Sequence, residues 1–449
     1  MRFTFPGIIV LLFFTCCNTG QDNSRYILLR DANIISFTGS TDAPFKASIL
    51  IKDSVIYAIA GTGDKLDIPR NTQVIDCSGQ YIMPGLWDTH VHLFKTTRQA
   101  LPAYLQYGIT SVRDMGGDMD TLNAIVRDIK NQKIGGPRIH YCGAPFENAW
   151  FLDWYRKNRI EEPQVEDITR TRIALLKAED AQRLVDSVLS SGAEFIKVRD
   201  YKDSTTYWAL ARAARKRGVK LAGHPPYGLD PIAIADSGQS TFEHGWFPSL
   251  KGLSQSRKDS VIRKYKEKNC LLVPTIIAWK YNQFSSYGFM DSAVNGPKGI
   301  RDPRIETLPP MLLAEWKAQL MERKKNNNLR AWKQDALQDM YQETIEMYRS
   351  GIQVMPGTDD ACAMVFPGES LHDELALFVQ CLKMSPYEAL ASAIVVPAKY
   401  MGVDHKTGSI EKGKLADLII LKKNPLDDIR NSKTVGMTII NGRILYSKN

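Results

Sequence analysis

From residue 27 to about residue 83 the chain alternates short apolar runs with turn residues: "YILLRDANIISF", "ASILIKDSVIYAIA" and "TQVIDCSGQYI" are divided by Gly, Asp and Asn. Apolar patterning of this kind, bounded by such residues, predicts β-strands. The C-terminal stretches "KLADLIIL" and "VGMTIINGRILY" read the same way, the second with an Asn441-Gly442 hairpin turn. Neither end carries enough strands for an independent sheet. The two ends, residues 27–83 and 405–449, are therefore expected to meet in one small composite β-sandwich domain around a single insertion over residues 84–404.

Within that insertion short apolar strands alternate with helical stretches, and eight strands are expected to end near "GLWDTHVH", "GITSVRDM", "RIHYCGAP", "EFIKVRD", "KLAGHPP", "STFEHGW", "LLVPTII" and "IQVMPGTDD". Eight β/α units in about 320 residues, against the ~250 typical of the fold, predict an α/β protein of the (β/α)8 TIM-barrel type with insertions. The last barrel helix is marked by Ser385-Pro386-Tyr387-Glu388, a capping box with Pro at the first helical position. Residues 144–172 and about 278–345 exceed normal loops and are rich in Trp, Tyr and charge; "PPMLLAEWKAQLMERKKNNN" within the second has helical spacing. Long segments at the active face of a barrel are expected to act as lids or binding walls.

Composition adds limits. With 449 residues, 44% hydrophobic and 24% charged, the chain is an ordinary globular protein long enough for one large and one smaller domain. The formal net charge of +9 is spread along the sequence, not gathered into a block interleaved with aromatics, which argues against a nucleic-acid partner. The start differs: one early Arg, an apolar run from Ile8 to Phe14, then Cys16 and Cys17. That run is too short to span a bilayer and has the form of a secretory signal over residues 1–20. Cysteines directly after it resemble a bacterial lipoprotein signal, with a plain cleaved signal as the alternative. The expectation is an exported protein of the cell envelope, held at the membrane only through an N-terminal lipid. The other five cysteines (Cys77, Cys142, Cys270, Cys362 and Cys381) form no C-x-x-C pair and are expected to be small core residues.

The chemistry-bearing residues cluster. Of seven histidines, four fall at the C-terminal ends of expected barrel strands: His90 and His92 on the first, His224 on the fifth, His244 on the sixth. Catalytic residues of this fold sit at that face. Lys197, inside the apolar "FIKV", and Asp359, in "PGTDD", join them. Imidazole and carboxylate are ligands suited to zinc and similar ions. A buried lysine, its pKa lowered from about 10.4, can present a neutral amine to carbon dioxide and become a carbamate able to bridge two metals. The alternative is an unmodified Lys197 paired with Asp359 in a metal-free barrel.

Taken with "YIMPGLWDTHVHL", "GITSVRDMGG", "GAEFIKV", "AGH", "FEHG", "PGTDD" and "GSIEKGKLADLIILKKNPL", these positions resemble the amidohydrolase superfamily, in its imidazolonepropionase-like or prolidase-like peptidase branch, over nearly the whole chain. The resemblance implies a binuclear centre. His90, His92 and Asp359 would hold one divalent ion, His224 and His244 another, both most simply zinc, with carboxylated Lys197 between them. It further implies hydrolysis of C–N amide bonds by a metal-bridging hydroxide, with Asp359 taking the proton and returning it to the leaving nitrogen. The partner is then a small molecule or small peptide, and a homo-oligomer is compatible.

Asp88 would orient a histidine from below or be a hydrogen-bonded core carboxylate. Arg113 and Arg199 would bind a substrate carboxylate or serve as structural ion-pair partners, and His372 would line the pocket or lie at the surface. The substrate-shaping segments follow no familiar pattern: "RDYKDST" follows the fourth strand, and Pro225-Pro226 follows His224. Two other functions stay open, a mononuclear cyclic-amidine hydrolase or deaminase and a non-catalytic surface binding protein.

Overall fold

Leu86–Val91 is buried at all six positions, and so is Ile109–Asp114. Strands with no exposed face belong inside a parallel sheet covered on both sides, and these two pair in parallel. The computed structural model describes residues 24–39, 43–93, 97–147, 149–159, 161, 167–199, 201, 203–244, 250, 252–325 and 334–448. The expected signal segment, with Cys16 and Cys17, lies outside the described residues.

Parallel strands follow one another through the central region: β1 (Leu86–Val91), β2 (Ile109–Asp114), β3 (Arg138–Tyr141), β4 (Ile196–Val198), β5 (Leu221–Gly223), β6 (Gln239–Glu243), β7 (Leu271–Val273) and β8 (Gln353–Val354). β1 to β3 make one arc and β4 to β8 a second, which the short strands Phe146–Glu147 and Ile173–Ala174 extend at its β4 edge. Backbone hydrogen bonds tie the arcs at both junctions. Thr89 N donates to Pro356 O beyond β8 (3.0 Å), and Glu194 N ahead of β4 donates to Tyr141 O at the end of β3 (2.9 Å). The class is mixed α/β, as the alternation in the sequence implies.

Both chain ends enter one eight-stranded sheet, joined where Leu418–Leu421 pairs antiparallel with Tyr81–Pro84. The sheet forks at Tyr26–Ile34, whose second edge pairs first with Gln73–Asp76 and then with Tyr81–Pro84. Ile27, Leu29, Ile49, Ile82, Leu418 and Ile439 give it a core of its own. At its final hairpin Asn441 and Gly442 take φ of 49° and 66°, the left-handed pair a tight two-residue turn demands. A Cβ at Gly442 would stand 2.0 Å from Asp53 O, so glycine is required there twice over.

The long segments supply helices α1 (Ala149–Asn158) and α2 (Pro310–Lys325), the latter where helical spacing predicts it. Trp316 and Leu320 of α2 pack with Met290 and Phe366 in a small separate core. Helix α3 (Glu369–Leu382) follows, and then the helix Pro386–Met401, which opens on the expected box: Glu388 N donates to Ser385 Oγ (3.2 Å) and Ser385 N to Glu388 Oε2 (2.7 Å). Among the described residues no helix is long and apolar enough to cross a membrane.

Candidate metal centre

Register puts the expected ligands together. His90 lies within β1 and His92 just beyond it; Lys197 is the middle residue of β4; His224, His244 and Asp359 follow β5, β6 and β8. One ligand atom each from His90, His244 and Asp359 lies within 4.8 Å of the others, a group that could hold a metal ion. Lys197 Nζ is 3.4 Å from His90 Nε2, and His92 Nε2 is 3.2 Å from Asp359 Oδ1. The His224 and His244 rings stand 4.7 Å apart, nearly perpendicular. His90 therefore faces both Asp359 and His244, a closer set than the sequence-based division between two ions. His244 and Asp359 also share left-handed backbone, with φ of 67° and 56°. Such conformations cost of order 1–3 kcal/mol each and concentrate at functional sites.

Neighbouring groups fix the tautomers. His90 Nδ1 donates to Glu243 Oε2 (2.8 Å) and His92 Nδ1 to Gly116 O (3.1 Å), which leaves each Nε2 with its lone pair as the acceptor nitrogen. His244 Nδ1 is 2.9 Å from Thr275 Oγ1. Burial, aided by Lys197, holds the His92 imidazole down at about 4, and burial takes His244 to about 3; burial and Lys197 push His90 well below its usual range. All three are neutral at pH 7, the state a metal requires. Burial alone would raise the Asp359 carboxyl, but His244, His92 and His90 outweigh it and hold Asp359 well below the usual carboxylate range. Burial and then Arg199 bring Lys197 down to about 8, so that a minor fraction of the amine is unprotonated at pH 7.

The layer beneath was only partly legible. Asp88 touches no imidazole ring: its Oδ1 accepts from Thr358 N (3.0 Å) and His90 N (3.3 Å), and its Oδ2 accepts from Thr358 Oγ1 (2.7 Å). It is the core carboxylate of the two alternatives, tying the segment that carries Asp359 to β1. The residue that orients a histidine is Glu243, itself held by Arg113 Nη2 (2.8 Å) and Thr241 Oγ1 (2.6 Å). Its signal was present in "FEHG", where it precedes a ligand. Arg113 is 1% exposed and has the structural role, not the substrate one. Asp360, equally unread, accepts from His92 N (3.1 Å) and from the Tyr104 hydroxyl.

Above the ligands opens a cavity of about 500 Å³. His92, Lys197, His224, His244 and Asp359 form its floor, and both long segments build its wall, with Trp154, Tyr155 and Arg172 from the first and Asn282, Glu315 and Glu322 from the second. His90 lies just below, fully buried. Arg199 also lines the cavity, its Nε 3.1 Å from Glu147 Oε2. Cys362, expected as a core residue, lines it too, with Sγ 3.4 Å from Asp359 Oδ2. His372 is neither in the pocket nor at the surface; it is fully buried between Ser432 Oγ (2.8 Å) and Tyr107 O (2.9 Å).

Comparison with known proteins agrees with this picture. Residues 81–445 match the amidohydrolase family. Imidazolonepropionase of Thermoplasma acidophilum is 33% identical over 116 residues, which cover 25% of this chain and 28% of that protein. Ochratoxinase of Aspergillus niger is 25% identical over 437 residues, covering 86% of this chain and 79% of its own. The crystal structure of a Xaa-Pro dipeptidase with bound methionine in the active site, 20% identical, superposes with a TM-score of 0.67 over 94% of this chain and 100% of that one, a likeness of fold. The chain belongs to the amidohydrolase family and is, by that membership, a hydrolase of carbon–nitrogen bonds.

Proposed function

We propose that the chain is a metal-dependent hydrolase of amide bonds in small molecules or small peptides. The observation that carries this is the convergence of His90, His244 and Asp359, beside Lys197, at the floor of an open cavity, with His90 just beneath it. The donors fit divalent ions: neutral imidazoles, an ionised carboxylate, and a buried lysine whose amine is partly unprotonated. In this reading His90, His92, His224, His244 and Asp359 would hold two divalent ions, zinc by the chemistry of the set, and Lys197, once carboxylated, would supply a further carboxylate ligand. Bound ions would bring the pKa of a water from about 15.7 toward 7 and polarise the scissile carbonyl.

The chain's own residues do the rest. Asp359 accepts the proton released as water attacks the carbonyl and delivers it to the leaving nitrogen. Glu243 holds His90 in one tautomer and orientation, and Gly116 O does the same for His92. Trp154 and Tyr155 of α1, with Glu315 and Glu322 of α2, line the cavity and would flank the reacting bond. The likeness to ochratoxinase across most of the chain favours an amide over a cyclic amidine.

We read β1 to β8 as one (β/α)8 barrel over residues 84–404, supported by the bonds at both arc junctions, with the two chain ends forming the composite domain. We read residues 1–20 as a lipoprotein signal that exports the protein to the cell envelope, on Ile8–Phe14 and the cysteines after it. Labelled palmitate incorporated by the full chain and lost on Cys16→Ala with Cys17→Ala tests that reading.

For the reaction, metal content and a substrate panel decide. About two ions per chain, lost on Lys197→Ala, are expected, together with cleavage of dipeptides or N-acyl amino acids. One ion retained in Lys197→Ala would favour the mononuclear reading. Failure to cleave any dipeptide, N-acyl amino acid, lactone or cyclic urea with two metals bound would end the amidase assignment.

A further inference from the structure

After β7 the chain passes Pro274 and turns at once into a short helical stretch, Ile276–Ala278. Ala278 N and Trp279 N donate to Thr275 O (3.1 and 3.3 Å), so the first amides of that turn, those of Ile276 and Ile277, have no acceptor within it. A threonine in this position ordinarily turns its own hydroxyl onto such amides. Thr275 does not: its side chain makes no cap bond, and Oγ1 lies 2.9 Å from His244 Nδ1. The cap comes from α3 instead. Glu374, 98 positions from Ile276, accepts from Ile276 N through Oε1 (2.9 Å) and from Ile277 N through Oε2 (2.7 Å).

Thr275 is fully buried and holds left-handed backbone, with φ of 46° and ψ of 47°, a rare conformation for a β-branched residue. Such a conformation persists only where the surroundings over-determine it. Glu374 grips the two amides that follow and so fixes the direction in which the chain leaves Thr275. It is itself fully buried, where a carboxyl is costly unless hydrogen-bonded. Burial raises it to about 8 against the pull of the two amides. Charged or neutral, each of its oxygens keeps a lone pair for one N–H, whereas a glutamine would turn its own N–H groups toward one of them. At the other end of the chain of contacts, Thr275 engages His244 Nδ1, and Nε2 is the nitrogen left for an ion.

We infer that Glu374 is a positioning residue for the metal centre: by taking over the cap it frees the Thr275 hydroxyl for His244 and holds it there. Helix α3 thereby acts on a metal ligand through the loop after β7. The inference rests on the metal-dependent reading of the site.

The test is the zinc affinity of the full chain, read by competition with a chromogenic chelator, for wild type, Thr275→Val, Glu374→Gln and the double variant. Thr275→Val keeps the branched shape and removes the hydroxyl, and should weaken zinc binding about 10- to 100-fold. Glu374→Gln, which breaks one of the two amide bonds, should weaken it about tenfold. The double variant should bind no more weakly than Thr275→Val alone, because Glu374 acts through the hydroxyl already removed. Thermal melts of the metal-free proteins check folding, and if Glu374→Gln does not fold, Glu374→Asp, which draws the carboxylate back by one methylene, takes its place. Unchanged zinc affinity in the folded Glu374 variant, whatever its loss of melting temperature, overturns the inference and leaves Glu374 a cap alone. Losses that multiply in the double variant overturn it too, since the two residues then act by separate routes. A wild type that binds no zinc ends the metal-dependent reading and the inference with it; zinc bound equally by wild type and the Glu374 variant ends the inference and leaves that reading standing.

Discussion

On the floor of the cavity each ionisable group is carried by a parallel strand or the residues just after it; on the wall, Trp154 and Tyr155 come from α1, Arg172 from the same long segment, and Glu315 and Glu322 from α2. Most floor residues are buried, Lys197, His224 and His244 among them, and the layer below is cross-braced, as His90 is by Glu243 and Glu243 by Arg113. Wall residues are less confined, and Trp154 is 37% exposed. The contrast assigns bond cleavage to the rigid floor and substrate choice to the wall. Substitutions in the two regions should then differ in kind as well as in size.

The largest effect should come from the floor. Asp359→Asn keeps the shape of the side chain but removes the proton acceptor, so kcat should fall by about 10²- to 10⁴-fold in steady-state assays of the metal-loaded enzyme. A loss of less than tenfold would take Asp359 out of the proton path. Next comes the brace beneath. Glu243→Gln should lower metal affinity or turnover about 10- to 100-fold, read by competition with a chelator, because a single amide oxygen cannot accept from Arg113 and Thr241 on one side and His90 on the other, and the charge that favours the His90 tautomer is gone. Unchanged affinity would mean that β1 alone positions the imidazole.

The same contrast explains what could be read from the chain. His90, His92, Lys197, His224, His244 and Asp359 were legible because strand ends in this architecture converge, so that polar residues closing apolar runs identify themselves. Glu243 was passed over although it sits beside His244, since nothing in a strand pattern says which of two adjacent polar residues turns inward; the left-handed backbone at His244 makes the difference. Asp88 was assigned two roles, and only its bonds to Thr358, 270 positions away in sequence, decide between them. Arg172 carried no local signal at all. Its place against Gly116 is a long-range contact between segments 56 positions apart, which periodicity cannot encode.

A wall substitution should sharpen the division. Trp154→Ala removes part of an apolar contact, worth about 1 kcal/mol when half-exposed, so KM should rise roughly fivefold with kcat retained. A matching fall in kcat would show that the wall also positions the reacting bond.

The smallest effect on turnover, and a distinct effect on stability, belongs to His372, remote from floor and wall. Tyr107 O can only accept, so His372 Nε2 carries the proton and Nδ1 accepts from the Ser432 hydroxyl, which ties α3 to residues on either side of it. Burial holds this imidazole down at about 4, against 6.5 when exposed. Above pH 6.5 both folded and unfolded chains keep it neutral and its contribution is complete. As pH falls toward 4 the unfolded chain binds a proton that the folded chain refuses, and stability declines by about 3 kcal/mol before levelling off. His372→Gln should flatten the profile of unfolding free energy between pH 6.5 and 4, measured by denaturant titration against wild type, while turnover at neutral pH stays within twofold. If the two profiles fall in parallel over that window, His372 is already protonated in the folded protein and a nearby acid, not burial, governs it.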